Sequence, residues 1–240
     1  MRHIPILMYH NIDTPPVGAK LRKLYVRKHS FALQMGLLKL LGYRGVSLRD
    51  AEPYFSGEKT GKVVVITFDD GYLDTLKNAL PVLQKNGFTA TCYCVSQRLD
   101  SYNQWDAEKL SVRKSLMNVE QLRQWNAAGM EVGGHSRTHP HLHKCSEEEL
   151  HEEIIGGKAD LEALLQQEIS HFCYPYGSYN SRVIEVVKAA GYKSATTTQR
   201  GRAHSNSHPF ELPRIFVGGH HWLPMLLMQI MTGYEDKRGK

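Results

Sequence analysis

Runs of apolar residues alternate with polar segments along the chain and predict strands and helices in turn. The clearest run, Val63–Phe68, is rich in β-branched residues and stops abruptly at Asp69-Asp70-Gly71, as a buried strand does. A helical pattern follows over residues 72 to about 85, with leucines on one face, and Asn86-Gly87 ends it. Residues 88–95 have the pattern of the next strand.

The same alternation covers most of the remaining chain. Further helices are predicted at 29–41, 118–125, 146–167 and 181–190, and further strands at 4–8, 169–174 and 192–196. This order is typical of an α/β fold with a mostly parallel sheet, and we expect a distorted or incomplete (β/α) barrel. The length suits a single domain over residues 1–240.

Three polar, irregular segments at 9–23, 100–115 and 197–209 are predicted to be surface loops that shape a cleft. Residues 222–231 have the spacing of a helix that packs against the barrel, although the same stretch could lie on a membrane surface. Residues 232–240 are expected to form a flexible tail. Their short basic cluster is typical of a solvated chain end and not of a nucleic-acid-binding patch.

Composition and charge narrow the class of protein. The net charge of +6 favours anionic partners. Apart from the short cluster at the C-terminus, the basic residues are scattered along the chain, so we expect no nucleic-acid partner. No stretch is long and apolar enough to cross a bilayer, and the N-terminus lacks the pattern of a signal peptide. With only four irregularly spaced cysteines, the sequence predicts a cytoplasmic protein, in peripheral contact with the inner face of the membrane at most. It leaves the oligomeric state open.

Two short segments carry residue types suited to metal-assisted hydrolysis. Asp69 and Asp70 follow a predicted strand, where adjacent side chains diverge and can serve different roles. His135 and His139 are four residues apart and would converge on one ion if the backbone made a helical turn. Two histidines with one carboxylate leave positions open for water and substrate, which a structural zinc site does not. His141 and His143 are predicted only to line the loop or cleft.

These residues, with Tyr-Pro-Tyr-Gly at 174–177, resemble the three motifs of the NodB-homology polysaccharide deacetylases, in the expected order. The N-terminal Pro-Ile-Leu-Met-Tyr-His resembles the opening of the poly-N-acetylglucosamine deacetylase branch. The resemblance implies an N-deacetylase in which Asp69 is the catalytic base and Asp70, His135 and His139 bind the metal. It also implies that Tyr176 donates its backbone N–H to the oxyanion.

Two roles have less direct counterparts in the sequence. The motif around Cys173 lacks the arginine that orients the base in the family, and Arg214 is the candidate to replace it. For the general acid, His10 is the first choice and His220 or His221 the second, because no clean copy of the family's acid motif follows Arg214.

The predicted reaction is hydrolysis of the acetamide of an N-acetylated amino sugar in a glycan or in a lipid-linked or nucleotide-linked sugar. Zinc is the expected cofactor from its ligands and chemistry, while cobalt, nickel and iron also suit this ligand set. Two other classes share some features: an iron oxygenase with the same ligand triad, and an inactive glycan-binding relative. The base Asp69 beside the ligands favours hydrolysis over both.

Overall fold

The structure is a computed structural model that describes residues 3–219 and 222–239. The strands are β1 (His3–Ile4), β2 (Ile6–Tyr9), β3 (Arg44–Val46), β4 (Val63–Phe68), β5 (Thr91–Cys94), β6 (Glu131–Gly134), β7 (His171–Cys173), β8 (Ser194–Arg200), β9 (Ala203–His204) and β10 (Leu212–Phe216). The helices are α1 (Lys28–Leu40), α2 (Leu48–Phe55), α3 (Leu80–Asn86), α4 (Ala107–Leu110), α5 (Val119–Ala127), α6 (Glu147–His151), α7 (Gly157–Leu165), α8 (Ser181–Ala189) and α9 (Leu223–Met231).

The main sheet closes into a barrel of parallel strands. Its order is β2-β10-β8-β7-β6-β5-β4, and a further pairing of β2 with β4 joins the two ends of this series into a ring of seven. The short β3 pairs with β4 outside that ring, and β1 and β9 form a separate antiparallel pair. The expectation of a distorted, mostly parallel (β/α) barrel is confirmed.

Strand β4 shows how the sequence sets the two faces of the barrel wall. All six of its residues are buried, because one face meets the helices and the other meets the barrel interior. Val64 and Ile66 belong to the core shared with the helices, whereas Val63 and Val65 belong to the inner cluster. By this alternation Thr67 and Asp69 continue the inner face.

Three of the predicted helices begin at capping residues. Asn118 and Ser146 each form a capping box with the residue three positions later, and Asn180 caps α8. The helices predicted at 72–85 and 146–167 are each interrupted by a π-helical turn, at Thr75–Ala79 and Glu152–Gly156. Among the described residues, none of the helices is long and apolar enough to span a membrane.

Several predicted boundaries were wrong. The segment 197–209, expected to be a loop, contains the second half of β8 and all of β9, and the segment 100–115 contains α4. The expected tail also contacts the barrel up to residue 239. Glu235 is fully buried against Arg200 and Gln229, and Asp236 binds Arg202, so the segment is held by ion pairs.

Candidate functional site

Asp69 and Asp70 lie at the carboxyl end of β4, the end at which barrels of this class hold their functional residues. Asp69 is 3% exposed and Asp70 is 7% exposed, so both carboxylates lack most of their water. Asp70 has a φ of 76°, a left-handed conformation that costs a non-glycine residue about 1 kcal/mol or more. The turn at Asp70 and Gly71 points the two neighbouring carboxylates in different directions.

The carboxylate of Asp70 lies close to the ring nitrogens of both His135 and His139. Its Oδ1 lies 3.4 Å from His135 Nε2 and 3.3 Å from His139 Nε2, and all three residues are buried. The two histidines converge through a bend and not through the expected helical turn: Ser136 and His139 have φ values of 64° and 70°, and Ser136 Oγ accepts a bond from His139 N–H. Strained backbone of this kind often marks a functional site.

The donor chemistry of this group fits a metal ion. His135 Nδ1 lies 2.7 Å from the Cys173 carbonyl oxygen, an acceptor, so Nδ1 carries a proton and Nε2 is the nitrogen that faces Asp70. In the neutral imidazole that nitrogen has a lone pair, so an ion bound between it and the carboxylate would be held by both. Burial lowers the pKa of His139, which keeps that imidazole neutral as a ligand must be.

A second group of potential ligands, Asp69, His135 and Cys173, lies beside the first. Its carboxylate is already committed, because Arg214 Nη1 and Nη2 donate to the two oxygens of Asp69 over 2.6 and 2.8 Å. Of the two groups, the Asp70 group is therefore the candidate for a metal.

Arg214 comes from β10 and is fully enclosed in the barrel. Besides its two bonds to Asp69, it donates to the Thr197 carbonyl over 2.9 Å and to Thr67 Oγ1 over 3.1 Å. Burial alone would raise the pKa of Asp69, but the guanidinium outweighs it and holds the pKa below its usual value. Asp69 is thus a fixed, ionised acceptor next to the candidate metal group.

His10 follows β2, the strand that pairs with β4, and its Nε2 lies 3.9 Å from Asp69 Oδ2. Its other ring nitrogen is buried without a hydrogen-bond partner, and the ring packs against Phe216. The alternative acids, His220 and His221, lie outside the described residues. Of the two choices, only His10 can therefore be placed at the site.

Tyr176 lies in a turn after β7, with a φ of 58°. The turn is closed by bonds from Gly177 N–H to the Tyr174 carbonyl and from Ser178 N–H to the Pro175 carbonyl, neither of which uses the Tyr176 N–H. The Tyr176 ring meets His139 edge to face at 4.4 Å and stacks on His141 at 4.2 Å. His143 bonds Ser178 instead, so His141 and His143 line the cleft beside the metal group.

A second aromatic contact to His139 was not predicted from the sequence. Trp105, from the segment 100–115, stacks on His139 with ring centroids 4.5 Å apart and planes within 20°. This contact fixes the imidazole, since His139 Nδ1 has no hydrogen-bond partner. The neighbouring Asp106 has its pKa raised to about 6, first by burial and then by the Asp70 charge. Both residues lie in an irregular segment, where no repeating pattern predicts that they lie near the metal-binding candidates.

The chain has clear relatives. The sequence profile of polysaccharide deacetylases matches residues 56–195. The Bacillus subtilis protein YxkH, whose name assigns it to the polysaccharide deacetylases, is 28% identical over 216 residues, which are 89% of this chain and 71% of YxkH. The poly-β-1,6-N-acetyl-D-glucosamine N-deacetylase of Escherichia coli is 24% identical over 95% of this chain, which spans 38% of that enzyme's length.

A solved structure has the same architecture over nearly its whole length. The Streptococcus pyogenes deacetylase PplD, in complex with acetate, superposes with a TM-score of 0.82 at 27% sequence identity. The match covers 95% of this chain and 98% of PplD. The barrel is therefore shared with a deacetylase.

Proposed function

The chain belongs to the polysaccharide deacetylase family and is a carbohydrate deacetylase, and from that premise we propose that it hydrolyses the acetamide of an N-acetylated amino sugar. The carrier of that sugar is a glycan, a lipid or a nucleotide. The observation that supports the proposal best is that two adjacent carboxylates have different partners. Asp70 faces two histidines, while Asp69 is bound by Arg214.

Asp70, His135 and His139 would hold a divalent metal, for which zinc is our proposal from the mixed nitrogen and oxygen ligands. When bound, it would polarise the acetamide carbonyl and lower the pKa of a water molecule, towards ~7 in well-studied zinc enzymes. The Trp105 and Tyr176 rings enclose His139 and restrict the approach of bulk water.

Asp69 accepts the proton of the attacking water, since Arg214 keeps it ionised and fixed. The Tyr176 N–H donates to the oxyanion as charge develops on the carbonyl oxygen, which stabilises the transition state more than the substrate. Protonated His10, 3.9 Å from Asp69, then donates a proton to the departing amine.

The competing classes fit less well. Iron oxygenases with the same triad usually have an all-β scaffold, whereas this chain is a parallel (β/α) barrel. An inactive glycan-binding relative was an alternative because the third motif lacks its arginine. Arg214 supplies that side chain from β10, and a binding module would have no use for a buried ion pair at this point.

Release of acetate from N-acetylglucosamine oligomers by zinc-loaded protein tests the proposal. Asp69→Asn removes the base with little change of shape, so we expect kcat to fall by about 10²–10⁴-fold. Glu120→Gln, a similar change at an exposed position, should keep full activity. If fully metal-loaded protein released no acetate from oligomers, lipid-linked sugars or nucleotide sugars, the inactive glycan-binding alternative would replace the proposal.

A further inference from the structure

One long segment of the chain has no negative charge. Between Asp13 and Asp50 there is no carboxylate, while the same 36 residues contain eight lysines and arginines. The expectation that basic residues are scattered is therefore wrong for this segment. Five of the eight fall within residues 20–28, immediately before and at the start of α1.

The fold gathers three of these cations around one cleft, which we call the basic cleft. Arg22, Lys23 and Arg27 line a cavity of about 460 Å³ together with Ser30 and Gly219, and no acidic residue lines it. All three cations are exposed. Within the described ranges none of them is ion-paired, and Asp13, the acid nearest in sequence, is bound to Lys114 at 2.7 Å.

The start of α1 adds to the positive potential of the basic cleft. Arg27 precedes the first turn of this 13-residue helix, no side chain caps its free N–H groups, and its first turn has no acidic residue. A helix start carries a partial positive charge of roughly half a unit and free N–H donors, which suit an anion. Since Ser30 lies in this first turn and lines the cavity, the helix start opens onto the same space as the three cations.

The basic cleft lies at the same end of the barrel as the candidate active site. Asn11, the residue after His10, accepts a bond from Val26 N–H and donates to the Leu24 carbonyl, which ties the cleft segment to the end of β2. Gly219, three residues beyond β10, donates to the Lys23 carbonyl. A Cβ on Gly219 would come within 2.3 Å of the Tyr25 carbonyl oxygen, so this close approach requires glycine. The cleft is thus attached to the two strands that present His10 and Arg214.

We propose that the basic cleft binds an anionic group, a phosphate or a carboxylate, carried by the glycan that is deacetylated. Three exposed cations, an uncapped helix start and the absence of carboxylates all favour an anion, and the attachment to β2 and β10 puts it next to the reacting sugar. The substrate class is therefore a negatively charged N-acetylated glycan. This inference rests on the proposed deacetylase function.

The test compares a neutral N-acetylglucosamine oligomer with the same oligomer carrying a phosphate group. For the wild type we expect a higher kcat/KM with the phosphorylated oligomer and a preference that shrinks as salt is added, since exposed charges are screened. The triple variant Arg22→Gln, Lys23→Gln and Arg27→Gln should lose about tenfold on the phosphorylated oligomer, and little on the neutral one. Binding of the phosphorylated oligomer to the Asp69→Asn protein, followed by calorimetry, should weaken to the same extent on adding the triple change.

A matched control separates the cleft from general electrostatic attraction. Lys39→Gln, Lys59→Gln and Lys85→Gln remove three exposed charges elsewhere, so both triple variants lower the net charge equally. An equal loss in both would overturn the proposal, as would equal wild-type rates on the two oligomers. Cleft-dependent binding to anionic lipid vesicles with no preference between oligomers would assign the cleft to a membrane instead. Activity on neither oligomer, with binding still cleft-dependent, would contradict the deacetylase function and leave the anion site standing.

Discussion

Arg214 is the most heavily constrained charged side chain at the site. It is 1% exposed, bonds both oxygens of Asp69, and contacts the Cys173 sulfur at 3.1 Å. Removing one partner of a buried ion pair leaves the other charge without compensation in a poorly solvated place. The pair therefore matters both for the orientation of Asp69 and for the stability of the barrel.

Two substitutions at Arg214 separate these effects. Lysine keeps the charge but cannot form the two-pronged contact with a carboxylate, so we expect Arg214→Lys to lower kcat by roughly 10–100-fold. Arg214→Met leaves Asp69 unpaired and should lower the free energy of unfolding by about 3–5 kcal/mol. Urea unfolding measures the second effect.

The double variant Asp69→Asn with Arg214→Met should regain part of that stability, because it removes the unpaired charge. Arg44→Met, at an exposed position on β3, serves as the control and should change stability by no more than about 0.5 kcal/mol. Additive losses in the double variant would show that the two side chains do not stabilise each other.

Short motifs in the sequence predict the site residues that lie close together in the chain, whereas residues that depend on distant contacts are predicted only through the family resemblance, as Arg214 is, or are missed. Asp69 and Asp70, like His135 and His139, are close in sequence, so their spacing can be read directly. Arg214 is 145 residues from Asp69, and only the closed barrel brings them together. The family resemblance suggested its pairing with Asp69. The contact made by Trp105 was not predicted, because this residue lies in a segment with no regular pattern.

At the scale of elements, α2 is held across the end of the barrel opposite the site. Glu131, at the start of β6, accepts bonds from the Arg49 N–H at the start of α2 and from Thr91 Oγ1. His171, at the start of β7, contacts Glu131 at 2.5 Å and Glu52 of α2 at 3.2 Å. A protonated imidazole between two carboxylates thus links the helix to the barrel wall.

This link predicts a loss of stability at high pH. Burial alone would lower the pKa of His171, but Glu131 and Glu52 outweigh it and raise the pKa from 6.5 to about 9. The contribution to the free energy of unfolding is complete below the unfolded pKa of 6.5 and disappears as the pH rises through about 9. A shift of this size corresponds to about 3 kcal/mol.

Urea unfolding of the wild type and of His171→Gln between pH 6 and 10 measures this contribution. The variant should be much less stable at pH 6 and should approach the wild type at pH 10, because the wild-type imidazole has lost its proton there. A constant difference between the two proteins across this range would rule out His171 as the source of the pH dependence.

The elements that the sequence missed are short or interrupted. Strand β3 has three residues, α2 contains Pro53, and β10 contains Pro213 after a single residue. Each is too short for a repeating pattern, or includes a residue that usually ends one. They form because the barrel supplies their partners, which a local pattern does not show.

At the scale of the whole molecule, alternation of strands and helices predicted a parallel barrel but not how it closes. Closure depends on two pairings of β2. One of its edges pairs with the end of β4, about 60 residues later in the chain, and its other edge pairs with β10. The helices then cover the barrel with one continuous apolar core, from Phe31 on α1 to Val187 on α8. None of the three ligand side chains belongs to that core, so folding should not require the metal.

Removal of the metal should therefore abolish activity and leave the barrel folded. An ion that binds only the folded state adds about 2.7 kcal/mol when its concentration is 100 times its Kd. For a domain of this size that corresponds to a fall in Tm of roughly 5–10 °C on chelation. Thermal unfolding followed by circular dichroism, with and without a chelator, measures this difference, and zinc should restore both Tm and acetate release. Asp70→Asn, which weakens the ligand set, should show a much smaller response to the chelator. Unfolding of the barrel at 25 °C on chelation would instead mean that the metal group is part of what holds the strands together.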